Sequence, residues 1–383
     1  MCIRDRIYLD NQATTRCDPR VVDVMLPWFA QEFGNPHSGE HALGRAAAEA
    51  VEAARGEVAL LLGTDPRTLV FTSGATEANN LAIKGAARHA LRIGDRRRRI
   101  VTLATEHPCV LETVRDLERE GFEPVILPVE PDGLLDPDRL REALAVPTLL
   151  VSVMAVNNET GIVQDLAGLA PLVREAGALL HSDLAQAVGK IALDMAALDL
   201  DLASVSAHKF YGPKGVGALF VRRRPRVRLE PLFSGGGQER GLRSGTLPAP
   251  LLVGLGEAAR LARAEQAEEA VRFALLRDRL LDRLRALIPG IMVNGSLEHR
   301  IPGNLNLRFP RRSALELCVS TGSACSAADI APSHVLTAMG LDRDAVARSL
   351  RLAIGRFTSA DELDLAADML ARACSGAAVP EAA

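Results

Sequence analysis

Helical stretches alternate with short runs of apolar and β-branched residues from about residue 40 to residue 225, and this alternation constrains the fold more than any other feature. Such a pattern is typical of a mostly parallel central sheet flanked by helices. A Gly-rich stretch over 235–245 then interrupts the pattern. We therefore predict an α/β protein with a large domain over 16–250 and a smaller α+β domain formed by 1–15 and 251–383.

The same alternation predicts individual elements. An Ala- and Leu-rich stretch over 41–62 should form an amphipathic helix that ends at Gly63. A long charged helix is expected over 255–287, and a last helix over about 360–374. The expected strands are Leu69–Phe71, Ile100–Leu103, Val125–Leu127, Leu149–Val153, Ala178–Leu180 and Ala203–Val205, followed in the small domain by strands near 304–309 and 349–354.

The composition excludes several classes of protein. A chain of 383 residues with 48% hydrophobic content can bury a large core and is not a disordered tail. Its 45 Lys and Arg against 48 Asp and Glu give a net charge of -3, so no overall field favours nucleic acid or an anionic membrane. The runs Arg96–Arg99 and Arg222–Arg224 are expected in solvated loops. No apolar stretch approaches the ~20 residues that cross a bilayer. We therefore expect a cytoplasmic or organelle-matrix protein without membrane or direct nucleic-acid partners.

The six cysteines are sparse and form no Cys-x-x-Cys pair, so reduced thiols are expected and neither a disulfide framework nor a metal site is. Cys109 and Cys318 are predicted to be small, inert, buried residues. Cys325 instead lies among small residues from Ser320 to Ala328, which are typical of an exposed, mobile loop. It is the candidate reactive thiol.

Polar residues follow three of the expected strands, at the edge where open parallel sheets bind ligands. Thr72–Glu77 leads into a helix and could hold a phosphate at the helix N-terminus, although a plain helix cap fits equally well. Asp183 follows the strand at 178–180, and Lys209 follows the strand at 203–205. The segment after Lys209 lacks the spacing of a nucleoside triphosphate loop. A phosphate cradle, a carboxylate and an amine together suit pyridoxal phosphate.

Several segments resemble, in the same order, those of the cysteine desulfurases, which are fold-type I pyridoxal-phosphate enzymes. The resemblance extends from about residue 7 to residue 375. It implies pyridoxal 5′-phosphate as cofactor, L-cysteine as substrate and a homodimer with active sites near the subunit interface. The segments are Leu9–Thr15, Phe33–Ser38, Phe71–Glu77, Thr105–His107, Val156–Gly161, His208–Lys209, Arg243–Thr246 and Ser323–Cys325.

The resemblance also implies which residues bind the cofactor. Lys209 is expected to form the Schiff base with its aldehyde, and Asp183 to pair with its pyridine nitrogen. Gln186 is expected to donate a hydrogen bond to the ring hydroxyl, and His107 to stack on the ring and move protons. The residues expected to hold the phosphate are Ala75, Thr76, Ser206 and His208, with Thr246 reaching in from the neighbouring subunit.

For the substrate, the resemblance implies that Arg351 binds the α-carboxylate, since a guanidinium can grip a planar carboxylate with two hydrogen bonds. Asn35 and Asn158 are expected to support the same carboxylate or the cofactor ring. Arg356, a near neighbour of Arg351, is expected to be structural.

The implied reaction begins when cysteine displaces Lys209 from the aldehyde and the freed amine removes the α-proton. The Cys325 thiolate then attacks the substrate sulfur, leaving a persulfide on the enzyme and releasing alanine. An acceptor protein, such as an iron–sulfur scaffold or a tRNA-thiolation protein, would receive the sulfur. Cys325 could also ligate an iron–sulfur cluster transiently, and no resident metal is expected.

The chain departs from the family pattern in two places. The connection from Phe309 to Cys325 is several residues shorter than expected, and Ala155 and Ala185 stand where relatives often have histidine and threonine. These changes are expected to affect the rate of the reaction and not the class of enzyme. Two alternatives remain open: a selenocysteine lyase or aminotransferase of the same fold, and a weakly active sulfur-transfer scaffold.

Overall fold

The computed structural model describes residues 7–310 and 332–375. Its centre is a seven-stranded sheet with the order β1-β7-β6-β5-β4-β2-β3. Strands β2 to β6 pair in parallel, and β7 is antiparallel to both of its neighbours. The predicted mostly parallel α/β fold is therefore confirmed. The strands are β1 Leu69–Thr72, β2 Arg99–Leu103, β3 Glu123–Leu127, β4 Thr148–Ser152, β5 Leu179–Asp183, β6 Leu202–Ser206 and β7 Gly217–Val221.

Strand β7 was not predicted from the sequence, because the glycine at its start weakens the strand pattern. A Cβ atom on Gly217 would lie 2.2 Å from the Val205 carbonyl oxygen. Only glycine therefore lets β7 approach the end of β6 this closely.

Helices cover both faces of the sheet. The predicted helix over 41–62 is observed and is followed by Gly63 at φ +61°, whereas the long helix predicted from 255 already begins at Ala249. The helices are α1 Pro19–Met25, α2 Pro27–Ala30, α3 Ala42–Leu61, α4 Ala75–Arg92, α5 Pro108–Asp116, α6 Pro137–Ala143, α7 Leu166–Glu175, α8 Ala249–Leu287, α9 His334–Ala338, α10 Arg343–Ala347 and α11 Ala360–Ser375, with 3₁₀ turns at Pro66–Thr68, Leu117–Glu120, Ala207–Lys209 and Glu239–Gly241.

The strands alternate their apolar side chains between two hydrophobic clusters, as the two-residue period of a strand requires. Val70 and Ile100 pack with α4 and α5 on one face. Phe71 and Val101 pack with α3, α7 and α8 on the other. A sheet buried on both faces leaves the ends of its strands as the place for a binding site.

The small sheet is antiparallel and consists of β8 Met292–Val293, β9 Asn304–Arg308 and β10 Ser349–Ala353. It shares a hydrophobic cluster with α11, the C-terminal part of α8 and Leu9. The N-terminal part of α8 instead packs in the large-domain cluster. We propose that residues 16–250 form the large domain and that residues 1–15 and 251–383 form the small domain. We infer that α8 packs against both domains.

Three of the seven arginines in the two arginine runs form ion pairs. Arg97 pairs with Asp95 at 2.7 Å, Arg99 with Glu123 at 2.6 Å and Arg222 with Asp199 at 2.5 Å. Over residues 7–310 and 332–375, no helix has the length and apolar character needed to cross a membrane.

Candidate active site

A cavity of about 350 Å³ lies beyond the carboxyl ends of β1, β5 and β6. Its volume falls in the range of roughly 300–1,000 Å³ that is usual for small-molecule sites. The structure brings most of the predicted site residues together around it. Those that line the cavity are Ala75, Thr76, His107, Asn158, Asp183, Gln186, Ser206, His208, Lys209 and Arg351.

The turn between β1 and α4 forms one end of the cavity. Gly74 is the N-cap of α4 with φ +148°, and it provides no side-chain cap to the first N–H groups of the helix. A Cβ atom at Gly74 would have only the Ser206 Oγ within 4 Å, at 3.8 Å. The turn therefore offers open space beside the positive end of a helix of 18 residues, which fits a phosphate.

Glu77 holds this turn in place. Its carboxylate accepts a hydrogen bond from the Ser73 backbone N–H at 2.6 Å and one from Arg243 Nε at 2.9 Å. Burial raises the pKa of Glu77, but the hydrogen bonds from Arg243 and Ser73 outweigh burial and keep the pKa below its ordinary value. The Arg243–Thr246 segment thereby supports the phosphate end of the cavity.

Asp183 ends β5 and is 5% exposed. Asn79 Nδ2 donates to its Oδ2 at 2.7 Å, and the Ala185 backbone N–H donates to its Oδ1 at 2.8 Å. Burying a carboxylate is costly unless donors compensate it, and these two do so. The arrangement suits a carboxylate that keeps a ring nitrogen protonated.

Lys209 lies in the 3₁₀ turn after β6 and is half-buried. Its Nζ donates to the carbonyl oxygens of Gln12 at 2.8 Å and Ala13 at 2.7 Å. Gln186 Nε2 donates to the same Gln12 oxygen at 2.8 Å. An amine, a carboxylate and a phosphate cradle thus line one cavity, and this donor set fits pyridoxal phosphate.

His107 caps the N-terminus of α5 and lines the cavity. Its Nδ1 accepts a hydrogen bond from the Cys109 backbone N–H at 3.2 Å and lies 3.0 Å from the Cys109 Sγ. Burial lowers the pKa of His107, and the positive charges of Lys209 and His334 act in the same direction, while Asp183 opposes them. A neutral imidazole is therefore favoured.

Cys109 corrects one prediction. It packs against an apolar cluster, as expected, but it is only half-buried and is one of the residues that line the cavity. Burial and the Asp183 carboxylate raise the pKa of the thiol to about 12. The sulfur is therefore a protonated thiol within a polar network.

Arg351, in the centre of β10, is 2% exposed and borders the cavity. Its guanidinium donates to the Asp10 carboxylate and, at 2.8 Å, to the Asn158 carbonyl oxygen. Among the described residues, Arg351 Nε and Asn158 Oδ1 are buried without a hydrogen-bond partner. Such atoms cost free energy until a ligand satisfies them. The Nε–H group suits a substrate carboxylate.

Three predicted residues are not placed in this cavity. Asn35, in the loop before α3, and Thr246, after the Gly-rich stretch, are exposed and do not line the cavity of this subunit. Cys325 lies outside the described residues. Arg356 pairs with Asp18 at 2.7 Å and with Glu269 at 2.6 Å, away from the cavity.

The sequence alone assigned no individual role to Asn79, Asp10 or Glu77. In the structure Asn79 holds Asp183, Asp10 holds Arg351, and Glu77 holds the turn before α4. The sequence could have indicated a role for Asn79, because it is a polar residue on the apolar face of α4 beside Ala78 and Ala82. Asp10 pairs with a residue 341 positions away, so no local pattern could reveal it. Within the described parts of the chain, no group of three or more His, Cys, Asp or Glu side chains is placed to hold a metal ion.

Comparison with known proteins agrees with this geometry. The family model of aminotransferase class-V matches residues 7–365. The cysteine desulfurase IscS of Rickettsia bellii (strain OSU 85-389) is 48% identical over 371 residues, covering 95% of this chain and 90% of that protein. A solved structure described as a NifS-like protein has a TM-score of 0.88 and 36% identity, covering 97% of this chain and 100% of the other.

A second solved structure, described as SspA in complex with cysteine, has a TM-score of 0.79 and 35% identity and covers 92% of this chain and 99% of the other. Both the family model and the relatives therefore span nearly the whole chain. The chain belongs to the aminotransferase class-V family and, within it, to the cysteine desulfurases, which depend on pyridoxal 5′-phosphate.

Proposed function

We propose that this protein takes the sulfur atom from L-cysteine, releases L-alanine and holds the sulfur as a persulfide on Cys325. The observation that carries the proposal is that the Lys209 amine, the Asp183 carboxylate, the N-terminus of α4 and Arg351 border one cavity. When bound, pyridoxal phosphate supplies an electron sink for the amino acid joined to its aldehyde.

Lys209 has two roles in this proposal, to hold the cofactor and to take the α-proton of the substrate. Two carbonyl oxygens, of Gln12 and Ala13, orient its amine. Gln186 binds one of the same oxygens, which places its amide beside the amine. The segment Leu9–Thr15 therefore orients the reacting nitrogen atom.

Arg351 binds the substrate carboxylate in this proposal. Asp10 and the Asn158 carbonyl fix the plane of the guanidinium before substrate arrives, which lowers the entropic cost of binding. Asn158 Oδ1, buried without a partner among the described residues, is an acceptor for the substrate or the cofactor.

Sulfur transfer requires a thiolate that reaches the substrate sulfur, and we assign this step to Cys325. Its sulfur attacks the substrate sulfur, and the carbon–sulfur bond breaks as the new sulfur–sulfur bond forms. The electron pair of the broken bond stays with the substrate fragment, which takes up one proton at the carbon that carried sulfur, regains the α-proton from the Lys209 amine and leaves as alanine. The Cys325 position lies outside the described residues, so its family motif supports this assignment.

The test is mass spectrometry of the protein after incubation with L-cysteine, together with assay of L-alanine. We expect one added sulfur atom on the peptide that contains Cys325, and none in Cys325→Ser. Cys17→Ser and Cys374→Ser are matched controls, because both thiols are half-buried outside the cavity lining. Undiminished sulfur release by Cys325→Ser would favour the lyase alternative.

Lys209→Ala should lose alanine formation and the visible absorbance of bound cofactor. The control is Lys84→Ala, which removes a peripheral ion pair to Asp116. If Lys209→Ala retained more than about 1% of wild-type alanine formation, its role as the α-proton base would be untenable, since such groups contribute about 10²–10⁴-fold.

We also propose a cytoplasmic homodimer that passes its persulfide to an acceptor protein of iron–sulfur assembly or tRNA thiolation. Two features support the dimer. Thr246 is exposed in this subunit, and Leu26, Phe29 and Phe33 expose more than half of their surface, at 59%, 60% and 67%. Light scattering of the purified protein would test the dimer, and sulfur transfer to candidate acceptors would test the partner.

A further inference from the structure

Cys109 occupies a junction that the proposed reaction does not use. It is the second residue of α5, directly after the capping region of His107. Its Sγ lies 3.0 Å from His107 Nδ1 and 3.1 Å from Asn79 Nδ2. Asn79 Nδ2 also donates to Asp183 Oδ2 at 2.7 Å. A continuous hydrogen-bonded network therefore runs from the Asp183 carboxylate through Asn79 and Cys109 to the His107 ring.

The direction of each hydrogen bond in this network follows from chemistry. A carboxylate only accepts, so the Asn79 atom that faces Asp183 is the amide nitrogen, which donates to the carboxylate and to the sulfur. The sulfur thus accepts a hydrogen bond from Asn79 in α4, and its own proton is free to point toward the imidazole.

His107 Nδ1 must carry a lone pair rather than a proton. The Cys109 backbone N–H donates to Nδ1 at 3.2 Å, and a backbone N–H cannot accept. The thiol, 3.0 Å away, provides a second donor to the same nitrogen atom. Two donors on one nitrogen stabilise the neutral ring that has its proton on the other nitrogen.

We propose that Cys109 is a positioning residue that keeps His107 neutral with its proton on Nε2. His107 then presents an N–H donor rather than a lone pair at the ring edge away from α5. The raised pKa of the Cys109 thiol agrees with a proton on sulfur. The proposal deepens the proposed function, because it rests on His107 moving protons in the cofactor cavity.

Other charged groups also act on His107. Asp183 favours the protonated ring, whereas Lys209 and His334 disfavour it, and His334 Nε2 lies 2.9 Å from the neighbouring Glu106 carbonyl oxygen. Cys109 contacts Nδ1 through both its backbone N–H and its thiol. Because the backbone N–H remains when the thiol is removed, the tautomer should persist and the pKa of His107 should rise.

The test is nitrogen NMR of the full-length holoenzyme labelled at its 8 histidines, with His107→Gln to assign the signal. In the wild type we expect an unprotonated Nδ1 and a protonated Nε2. In Cys109→Ala the pKa of His107 should rise by about 0.5–1 unit, because one donor to the neutral ring is lost. Cys109→Ser keeps a hydroxyl donor and should restore the wild-type pKa of His107.

Cys17→Ala is the matched control, since Cys17 is a half-buried thiol that does not line the cavity. The acid limb of the pH profile of alanine formation should shift by the same amount as the pKa in Cys109→Ala. A wild-type ring with its proton on Nδ1 would overturn the proposal, and so would a Cys109→Ala pKa within about 0.2 unit of the wild type. Because the NMR signal does not depend on turnover, a chain without desulfurase activity would still give a clear result.

Discussion

The cofactor side and the substrate side of the cavity differ in how completely their charged groups are satisfied. On the cofactor side, the carboxylates of Asp183 and Glu77 each accept at least two hydrogen bonds from the protein, and the buried atom left without a partner among the described residues is the amide oxygen of Asn79. On the substrate side, Arg351 and Asn158 each retain a buried polar atom without a partner among the described residues. Satisfied carboxylates suit the task of holding a resident cofactor in a fixed position. Open donors and acceptors suit a substrate that binds and leaves in every cycle.

The largest effect is expected on the cofactor side. Asp183→Asn keeps the shape of the side chain but removes the charge that holds the ring nitrogen protonated, so kcat should fall by about 10²–10³-fold. Alanine formation at saturating cofactor measures this effect. Asp138→Asn is a surface control, because Asp138 is exposed in the first turn of α6. A loss below about tenfold would show that the carboxylate does not control the electronics of the ring.

A smaller effect is expected for Arg351→Lys. The lysine keeps a positive charge but loses the planar fork, so KM for cysteine should rise about 10–100-fold while cofactor affinity remains unchanged. Initial rates over a range of cysteine concentrations, with cofactor titration, separate the two quantities. Arg348→Lys, whose ion pair with Asp344 lies outside the cavity, is the control. Weakened cofactor binding would abolish the contrast between the two sides.

The smallest effect is expected for Glu77→Gln, which leaves the turn intact but removes the charge that pairs with Arg243. Cofactor affinity should fall about threefold to tenfold, or about 1 kcal/mol. The folded-state pKa of Glu77 lies below its unfolded value, so its stabilising contribution is present above the ordinary carboxyl pKa and is lost as the pH falls through the folded pKa. The variant should therefore show a flatter dependence of unfolding free energy on acid pH, as urea titrations would measure. An unchanged acid dependence would contradict the role of this ion pair.

The sequence predicted the parts of this molecule that depend on local pattern. Asp183 and Lys209 were found because each follows an apolar strand, and the end of a strand fixes where its next side chain lies. Antiparallel β7 was missed, since Gly217 is required by contact with Val205 and has no local signature.

Contacts between distant segments were also beyond the reach of local pattern. Asn79 meets Asp183 across 104 positions, and Asp10 meets Arg351 across 341. Cys109 was predicted to be inert, because nothing in its neighbourhood along the chain shows that Asn79 donates to its sulfur. Individual site residues could be predicted from the sequence, but which of them pair with each other depends on the completed fold.

A short backbone segment, residues 10–13, contacts both the substrate-binding arginine and the cofactor-binding lysine. The Asp10 carboxylate accepts a hydrogen bond from the guanidinium of Arg351, and the carbonyl oxygens of Gln12 and Ala13 accept hydrogen bonds from the amine of Lys209. Arg351 and Lys209 are thus both hydrogen-bonded to the same short backbone segment, residues 10–13. A substitution that displaces this segment, or a ligand that competes with Asp10 for Arg351, therefore also shifts the position of the Lys209 amine, although the two cations do not contact each other.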